Sequence, residues 1–224
     1  MKKLHLFIKR TVDIVVSAIA LVVLTVIPVM LIIPLLIKLD SKGPAVYTQI
    51  RAGKNGKHFR MYKFRTMITE TKDADGNDIM SEKRITKIGR ILRKLSLDEL
   101  PQLINVLNGT MSIIGPRPML DYQAPRCIGE ENLRFEMRPG LTGLAQVKGR
   151  NNIRWEERIV YDVEYVKNYT IWLDIQILFK TVMLVLKKEG TDVKPEYRGV
   201  DRFSKYYVPE EQKQETEEVK EGAH

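Results

Sequence analysis

Two adjacent carboxylates, Asp98 and Glu99, are the residues whose types and spacing most clearly suggest chemistry. They stand in the stretch LSLDELPQL. Proline is tolerated in the first turn of a helix, where backbone N–H groups lack intrahelical partners, so Pro101 predicts a helix that begins near Leu97 or Asp98. The positive end of the helix dipole would favour both carboxylates and a bound phosphate. Plain helix capping is the alternative, because Ser96 and Glu99 have the spacing of a capping box.

Three cations lie in stretches that could place them at a binding site. Arg117 stands between two prolines in the stretch GPRP, and a stiff turn could present its guanidinium to two phosphate oxygens. A rigid surface turn without a ligand is the alternative. Arg150 follows the glycine-rich stretch RPGLTG, whose turns could expose backbone N–H groups to an anion. Lys63 belongs to YKFRTM, where cations lie between apolar residues, so alternate side chains of a strand could reach a site or the membrane surface.

The composition restricts the class of protein. The chain has 224 residues, of which 44% are hydrophobic and 29% charged, and this balance argues against a disordered chain and against a polytopic membrane protein. A single cysteine precludes an internal disulfide and fits a reducing, cytosolic compartment. Three scattered histidines do not form the ligand pattern of a structural zinc site.

The positive charge is concentrated in the first part of the chain. Residues 38–94 carry 15 Lys and Arg against 6 Asp and Glu, while the whole chain has a net charge of +9. Such an excess predicts an anionic partner, namely nucleic acid, an anionic membrane surface or phosphorylated substrates. We favour the last two, because the sequence has no recognisable nucleic-acid-binding motif.

The N-terminal segment is apolar enough to enter a membrane. Ile14–Ile37 contains 24 residues without a charge, and at about 1.5 Å per residue this length suffices for a bilayer core of roughly 30 Å. Pro28 tends to break a helix, and the carbonyls freed there would need local partners such as the Thr25 hydroxyl. Both flanks are basic, so the positive-inside rule is satisfied if both ends stay cytoplasmic. These features alone leave two interpretations, a re-entrant helix and an ordinary kinked transmembrane helix.

The rest of the chain is predicted to form a mainly helical α+β domain with a short β-hairpin. The hairpin consists of extended segments 45–49 and 58–64 around a Gly-Lys-Asn-Gly turn. Apolar spacing predicts helices over 85–94, 98–108, 151–168 and 174–188. The last of these has an apolar face that could lie in the core, as we favour, or in the plane of a membrane surface.

Five stretches, taken together and in chain order, resemble the bacterial sugar transferase family. They are KRTVDIVVSAIAL, LLIKLDSKGPAVYTQ, YKFRTM, LRKLSLDELPQLINVLNGTMSIIGPRP and RPGLTGLAQVKGRN. The resemblance runs from Lys9 to Lys188. Members of this family are monotopic phosphoglycosyl transferases, which start membrane-linked glycan assembly, and the length of the chain is similar to that of the small members.

The resemblance implies a topology and a reaction. It implies a re-entrant membrane helix over 1–39 and a phosphoglycosyl transferase domain over 40–200 on the cytoplasmic face of the bacterial cytoplasmic membrane. The reaction it implies is the transfer of a sugar phosphate from a UDP-sugar to a polyprenol phosphate, normally undecaprenyl phosphate, with release of UMP and a requirement for Mg²⁺. The polar residues 201–224 are predicted to form a disordered tail.

The resemblance also implies roles for individual residues. Asp98 matches the nucleophile that attacks the β-phosphorus and becomes a phosphosugar ester, and Glu99 matches its partner. The same two carboxylates are the implied ligands of the magnesium ion. Four basic residues match family positions around the substrate phosphates, namely Lys63, Arg93, Arg117 and Arg150.

The sequence leaves several points open. Many family members have Ser-Pro at the break of the re-entrant helix, whereas this chain has Ile27-Pro28 and lacks that hydroxyl. Small members often use N-acetylated amino sugars, but no residue here identifies the sugar, and a homo-oligomer is compatible with the sequence. The rival function is a membrane-anchored basic scaffold that binds anionic lipid or protein and releases no UMP.

Overall fold

The computed structural model describes residues 2–72, 79–80, 82–149, 153–187 and Phe203. This part of the chain is a mixed, mainly helical structure with a few short strands. The helices are α1 (Lys2–Val26), α2 (Val29–Asp40), α3 (Lys87–Lys94), α4 (Gln102–Leu107), α5 (Leu144–Gly149), α6 (Trp155–Lys167) and α7 (Ile171–Lys187). The strands are β1 (Val46–Ala52), β2 (His58–Phe64), β3 (Ser112–Ile114), β4 (Met119–Leu120) and β5 (Gly140–Thr142). Short 3₁₀ turns cover Lys54–Gly56, Leu97–Glu99, Ala124–Arg126 and Gly129–Glu136.

Helices α1 and α2 form a bent pair, as the sequence predicted. They meet at an angle of 62° across Ile27 and Pro28. The Thr25 hydroxyl donates to the carbonyl of Leu21 at 2.7 Å, one turn before the carbonyl of Leu24 that Pro28 leaves without its N–H, so the expected role of Thr25 at the break is wrong. No single helix of the described residues has both the length and the apolar character to cross a bilayer, whereas the bent pair taken together meets that requirement.

Polar side chains near the start of α1 attach this helix to the rest of the structure. Lys9 forms an ion pair with Asp174 of α7 at 2.7 Å. Arg10 donates to the last two carbonyls of α4, at 2.6 and 2.9 Å, where a helix leaves its acceptors unsatisfied. The buried carboxylate of Asp13 accepts from the backbone N–H of Ile113 at 3.0 Å. The N-terminal helix is therefore attached at three places by directional contacts.

The predicted hairpin is confirmed. Strands β1 and β2 pair in antiparallel register, with Val46 opposite Phe64 and Ala52 opposite His58. The turn needs a left-handed backbone, and Asn55 adopts it with a φ of 56°, a conformation that asparagine tolerates better than most residues. Strand β4 pairs with the opposite edge of β1, which leaves β2 at the edge of a three-stranded sheet.

The glycine-rich stretch RPGLTG serves backbone pairing. Strands β3 and β5 lie parallel and very close, and a Cβ atom added to Gly140 would lie 2.1 Å from the backbone nitrogen of Gly115. The N–H of Gly140 donates to the carbonyl of Pro116 at 2.8 Å, and that of Gly115 donates to Thr142 at 2.9 Å. The N–H of Gly140 is thus committed to the backbone, so the expectation that this stretch exposes donors to an anion is wrong for that group.

Helix α7 exposes the apolar face that the sequence analysis assigned to the core. Ile175, Phe179 and Leu186 of that face are 51%, 67% and 70% exposed. The helix packs through the opposite side, where Asp174 and Ile177 are buried. The core assignment is wrong, because apolar residues cover both sides of α7 and the acidic Asp174, paired with α1, lies on the inner side.

The C-terminal predictions fall largely outside the described residues. The predicted domain boundaries stay predictions, and so does the disordered tail over 201–224. Phe203 is the one described residue of that range. It is fully buried beside Met119, Cys127 and Ile159, and its carbonyl accepts from the side chain of Gln123 at 2.9 Å.

Arg65 connects the hairpin to the segment that follows α2. Its guanidinium is buried and donates to the carbonyl of Pro44 at 2.6 Å and to both the hydroxyl and the carbonyl of Ser41 at 2.8 Å each. A fourth bond reaches the carbonyl of Met67 at 3.3 Å. Of the two cations in YKFRTM, Arg65 is buried and joins two segments of the chain by hydrogen bonds, so it is not available to a membrane surface.

We predict that Arg65→Lys destabilises the fold. An ammonium on a flexible stem cannot bond all of these acceptors together, and buried acceptors left without a donor cost about 1–3 kcal/mol each. The midpoint of thermal unfolding should fall by several degrees. The matched control is Arg60→Lys at an exposed position of strand β2, which ends just before Arg65, and this change should leave the midpoint unchanged. Equal midpoints for the two variants would contradict the role assigned to Arg65.

Candidate active site

The two carboxylates lie on a tight turn ahead of helix α4. Asp98 and Glu99 belong to the 3₁₀ turn Leu97–Glu99, and the α-helix begins only at Gln102. The predicted continuous helix from Asp98 to Asn108 is therefore wrong. The reason is Pro101, which has no N–H to donate to the carbonyl of Leu97 four residues earlier. That carbonyl accepts instead from Leu100 at 3.3 Å, in a three-residue turn.

Helix capping does not account for the pair of carboxylates. Ser96 adopts a left-handed conformation with a φ of 56°, and its side chain makes no capping bond. Glu99 points to a lysine instead of back to the helix start. The capping box that the spacing allowed is absent, so helix capping does not explain why these two carboxylates stand together.

Lys63 and Arg117 meet the two carboxylates. The Nζ atom of Lys63, on strand β2, lies 2.6 Å from Oε1 of Glu99 and 3.9 Å from Oδ2 of Asp98. The Nη2 atom of Arg117 lies 3.7 Å from the same oxygen of Glu99. The side chains of all four residues are partly exposed, between 14% and 33%, so a ligand could reach them. The structure thus brings together four residues that are up to 54 positions apart in sequence.

A buried ion pair supports the turn that carries Arg117. Arg134 pairs with Asp162, and both side chains are only 1% exposed. Arg134 also donates to the backbone carbonyl of Arg117 at 2.7 Å. Arg134 therefore fixes the backbone of the proline turn, which helps to keep the Arg117 guanidinium in position.

Arg93 reaches the site from helix α3. Its Nε donates to the hydroxyl of Thr66 at 2.8 Å, which orients the guanidinium, and its charge partly opposes the rise that burial causes in the pKa of Asp98. Arg150 lies outside the described residues, so its predicted place beside the phosphates stays a prediction.

Arg51 is a site residue that the sequence analysis missed. It lies on β1, where it donates to the carbonyl of Pro118 at 3.2 Å and to the side chain of Gln49 at 2.7 Å. Burial and the nearby charge of Arg117 lower its pKa to about 10, and its charge also acts on Glu99. The predicted strand ended at Gln49. Residues two apart in a strand point to the same face, so a predicted strand that was two residues longer would have placed Arg51 on the same face as Gln49.

The two carboxyl groups have opposite pKa shifts. Burial raises the pKa of Asp98, and the charge of Glu99 raises it further against the opposing effects of Lys63 and Arg93. Burial would also raise the pKa of Glu99, but the charges of Lys63 and Arg117 outweigh it and hold this pKa below its usual range. Adjacent residues therefore have different proton affinities, as is common for paired groups with different tasks.

The donor set fits a hard divalent cation that is shared with a substrate. The described residues contain no cluster of three or more His, Cys, Asp and Glu side chains that could enclose a metal ion. Asp98 and Glu99 offer two neighbouring carboxylates, and Mg²⁺ is usually held by one or two carboxylates together with substrate phosphates. The residues present are compatible with that arrangement.

Comparison with known proteins identifies the family. The family model described as bacterial sugar transferase matches residues 4–188. The chain belongs to the bacterial sugar transferase family. The five sequence stretches, the hairpin and the carboxylate pair all fall within the matched residues, so the site described above is part of the family's common region.

Three of the similar proteins are named as transferases. An uncharacterised sugar transferase of Bacillus subtilis is 48% identical over 154 residues, which are 69% of this chain and 76% of the relative. An undecaprenyl-phosphate galactose phosphotransferase of Salmonella typhimurium is 41% identical over 205 residues, 84% of this chain and 42% of the relative. A UDP-glucose:undecaprenyl-phosphate glucose-1-phosphate transferase of Klebsiella pneumoniae is 41% identical over 192 residues, which are 80% of this chain and 40% of the relative. The chain thus matches about two fifths of the length of the last two.

The shifted pKa of Asp98 predicts the pH dependence of transferase activity. A carboxyl that acts only when ionised becomes protonated below its pKa. As the pH is lowered, kcat/KM should therefore fall at a pH above the usual aspartate pKa of about 3.9. Because Lys63 lowers the pKa of Asp98, Lys63→Met should move this fall to higher pH.

The control is Lys57→Met, an exposed residue of the same hairpin, which should leave the profile where it is. The pH profiles of kcat/KM for the three proteins decide the matter. If kcat/KM of the Lys63→Met variant falls at the same pH as that of the unmodified chain, or at a lower one, this contradicts the assignment of the loss at low pH to Asp98.

Proposed function

We propose that the chain transfers a sugar phosphate from a UDP-sugar to a polyprenol phosphate, undecaprenyl phosphate in the first instance, with release of UMP. The observation that carries this proposal is the pair Asp98 and Glu99, which the fold surrounds with Lys63, Arg117 and Arg51. Such a site suits an anionic diphosphate donor. The names of the Salmonella and Klebsiella relatives support the same general reaction. We extend the proposal to N-acetylated amino sugars, as the small members often use them.

Asp98 is the proposed nucleophile. One of its oxygens attacks the β-phosphorus of the UDP-sugar, the bond between that phosphorus and the bridging oxygen breaks, and UMP leaves with the electron pair. The product is an acyl phosphate between Asp98 and the sugar phosphate. An oxygen of the polyprenol phosphate then attacks the same phosphorus, which releases the Asp98 carboxylate and forms the lipid diphosphate sugar. A covalent intermediate of this kind divides one difficult transfer into two easier ones.

The cations offset the repulsion between the carboxylate and the diphosphate. Arg117 is presented by a rigid turn, and a guanidinium can bind two phosphate oxygens at once. Lys63, Arg93 and Arg51 add positive charge from three further elements, and such preorganised charge stabilises the charge that develops on the leaving group. Arg150 completes the proposed set on the basis of the resemblance.

Glu99 is the proposed partner of Asp98 in holding Mg²⁺. When bound, the ion would neutralise part of the diphosphate charge. The Lys63 ion pair keeps Glu99 ionised and holds one of its oxygens in place, while Asp98 is less tightly paired. This asymmetry suits a division in which Glu99 is a fixed ligand and Asp98 attacks.

The bent helix pair is the proposed membrane anchor. Basic residues flank it on both sides, and the apolar side chains along α1 and α2 are largely exposed. The exposed apolar face of α7 would lie in the plane of the membrane surface, with the domain on the cytoplasmic side. Anionic lipid headgroups would then meet the basic segment 38–94, and a lipid phosphate acceptor could reach the site by lateral diffusion.

The covalent step predicts an adduct that forms without any lipid. Incubation with a UDP-sugar and Mg²⁺ should yield about one equivalent of UMP per active site and a protein heavier by one sugar phosphate, because the acceptor is needed only in the second step. Asp98→Asn should lose both the adduct and turnover while it keeps the fold. Glu99→Gln should be strongly impaired yet keep the attacking atom. Intact-protein mass spectrometry across a panel of UDP-sugars is the measurement.

The matched control is Asp121→Asn, an exposed aspartate, which should behave like the unmodified chain. An active preparation that never forms the adduct, and whose kinetics require donor and acceptor together, would rule out the Asp98 ester. Absence of UMP release with every donor would rule out the transferase reaction itself and favour the scaffold alternative.

The re-entrant arrangement predicts that both ends of the helix pair stay in the cytoplasm. Single cysteines would be placed at Lys3 and Arg60 after the native Cys127 has been replaced by serine. An impermeant maleimide added to intact cells should label neither position, and both should react once the cells are permeabilised. Labelling of position 3 alone in intact cells would instead demonstrate a full span.

A further inference from the structure

A buried asparagine joins the helix after the carboxylate pair to the strand that carries Lys63. Asn105 lies on α4 and is 1% exposed. Its side-chain oxygen accepts from the backbone N–H of Tyr62 at 3.0 Å, and its side-chain nitrogen donates to the carbonyl of Arg60 at 2.8 Å. The second hydrogen of that nitrogen points to the hydroxyl of Thr110, at 3.2 Å.

The two bonds to the strand have the pattern of a missing neighbour strand. Strand β2 is the edge of its sheet, so among the described residues no neighbouring strand pairs with its outer backbone groups. In a parallel ladder one residue donates to the carbonyl on one side of its partner and accepts from the N–H on the other side. The amide of Asn105 reproduces this pattern around Met61, because a side-chain amide carries both a donor and an acceptor.

This contact lies directly beside the ion pair of the site. Tyr62 precedes Lys63, whose ammonium lies 2.6 Å from Glu99, and Asn105 is six residues after Glu99 in the same turn-and-helix unit. The two ends of the ion pair are therefore on elements that Asn105 connects by hydrogen bonds. Apolar contacts of Phe59 and Met61 with Val106 accompany these bonds but do not set the register along the strand as directional bonds do.

We propose that Asn105 is a positioning residue that holds Lys63 against the carboxylate pair. Its role rests on the proposed function only in so far as the ion pair serves catalysis. Asn105 touches no reacting atom and acts through the placement of strand β2. Loss of its amide should let the edge strand move away from α4, so that the Lys63 ammonium spends less time on Glu99.

A double-mutant cycle distinguishes this role from a general contribution to stability. Asn105→Ala should lower kcat for the UDP-sugar reaction by about tenfold in the wild-type background. In the Lys63→Ala background the same change should cost no more than about twofold, since the residue through which it acts is already missing. The matched control is Asn108→Ala at the end of the same helix. Among the described residues, the Asn108 side chain bonds Thr110 and no group of β2, so this change should stay within about twofold of wild type.

A second measurement needs no turnover. Acetylation of the full-length protein in detergent with the N-hydroxysuccinimide ester of acetic acid, followed by peptide mass spectrometry, reports how accessible the Lys63 amine is. Asn105→Ala should raise the acetylation rate of Lys63, and hydrogen exchange of the β2 peptide should become faster, whereas Asn108→Ala should change neither. If the wild-type protein releases no UMP from any UDP-sugar, the proposed function fails, and these two rates still decide the placement of Lys63.

Two results would overturn the proposal. One is an equal loss of kcat on Asn105→Ala in both backgrounds, which means that the residue acts independently of Lys63. The other is an unchanged acetylation rate of Lys63 in a folded Asn105 variant. Should Asn105→Ala fail to fold, Asn105→Ser, which keeps a small polar side chain unable to span both strand groups, is measured in the same way.

Discussion

The contact between Lys63 and Glu99 is the interaction on which the rest of the site depends. It joins an edge strand to a 3₁₀ turn that is far away in sequence, and the charge of Lys63 also reaches Asp98. A charged pair that is partly removed from water is stable only when its geometry is well kept, because the cost of desolvation must be offset by close approach. The elements around the pair can be understood as supports of that geometry. Arg117 also approaches Glu99, at 3.7 Å. Strand β2 carries Lys63, and helix α4 follows the turn that carries Glu99.

The break in the chain at Pro101 determines how the carboxylates are presented. A continuous helix would have placed Asp98 and Glu99 about 100° apart on a regular surface, each near unsatisfied N–H groups. The 3₁₀ turn instead lets Glu99 face Lys63 while Asp98 stays less tightly paired. The difference in pairing explains why burial dominates the pKa of Asp98 while neighbouring charges dominate that of Glu99. A single missing N–H thus gives two adjacent carboxylates different environments.

Local patterns predicted several local features correctly. The hairpin, the break at Pro28 and the gathering of basic residues near the carboxylate pair follow from turn chemistry, proline geometry and the resemblance to a family. Features that depend on distant partners were not predictable in this way. Arg51 and Asn105 acquire their places only when β1 and α4 meet β2, and periodicity could not tell which apolar side of α7 has a partner. The continuous helix from Asp98 is absent for a local reason, because Pro101 removes the N–H that would bond the carbonyl of Leu97.

The N-terminal helix pair supports both ends of the central ion pair. Ile33 and Ile37 of α2 pack with Phe64, the residue after Lys63, and Arg65 fastens the loop that follows α2 to the same strand. On the other side, Arg10 of α1 caps the end of α4, the helix that follows Glu99. A movement of the pair against the domain would therefore strain the placement of Lys63 and of the carboxylates together. Because the same helices form the proposed anchor, the depth at which they sit in a bilayer would also set the height of the site above the lipid phosphates.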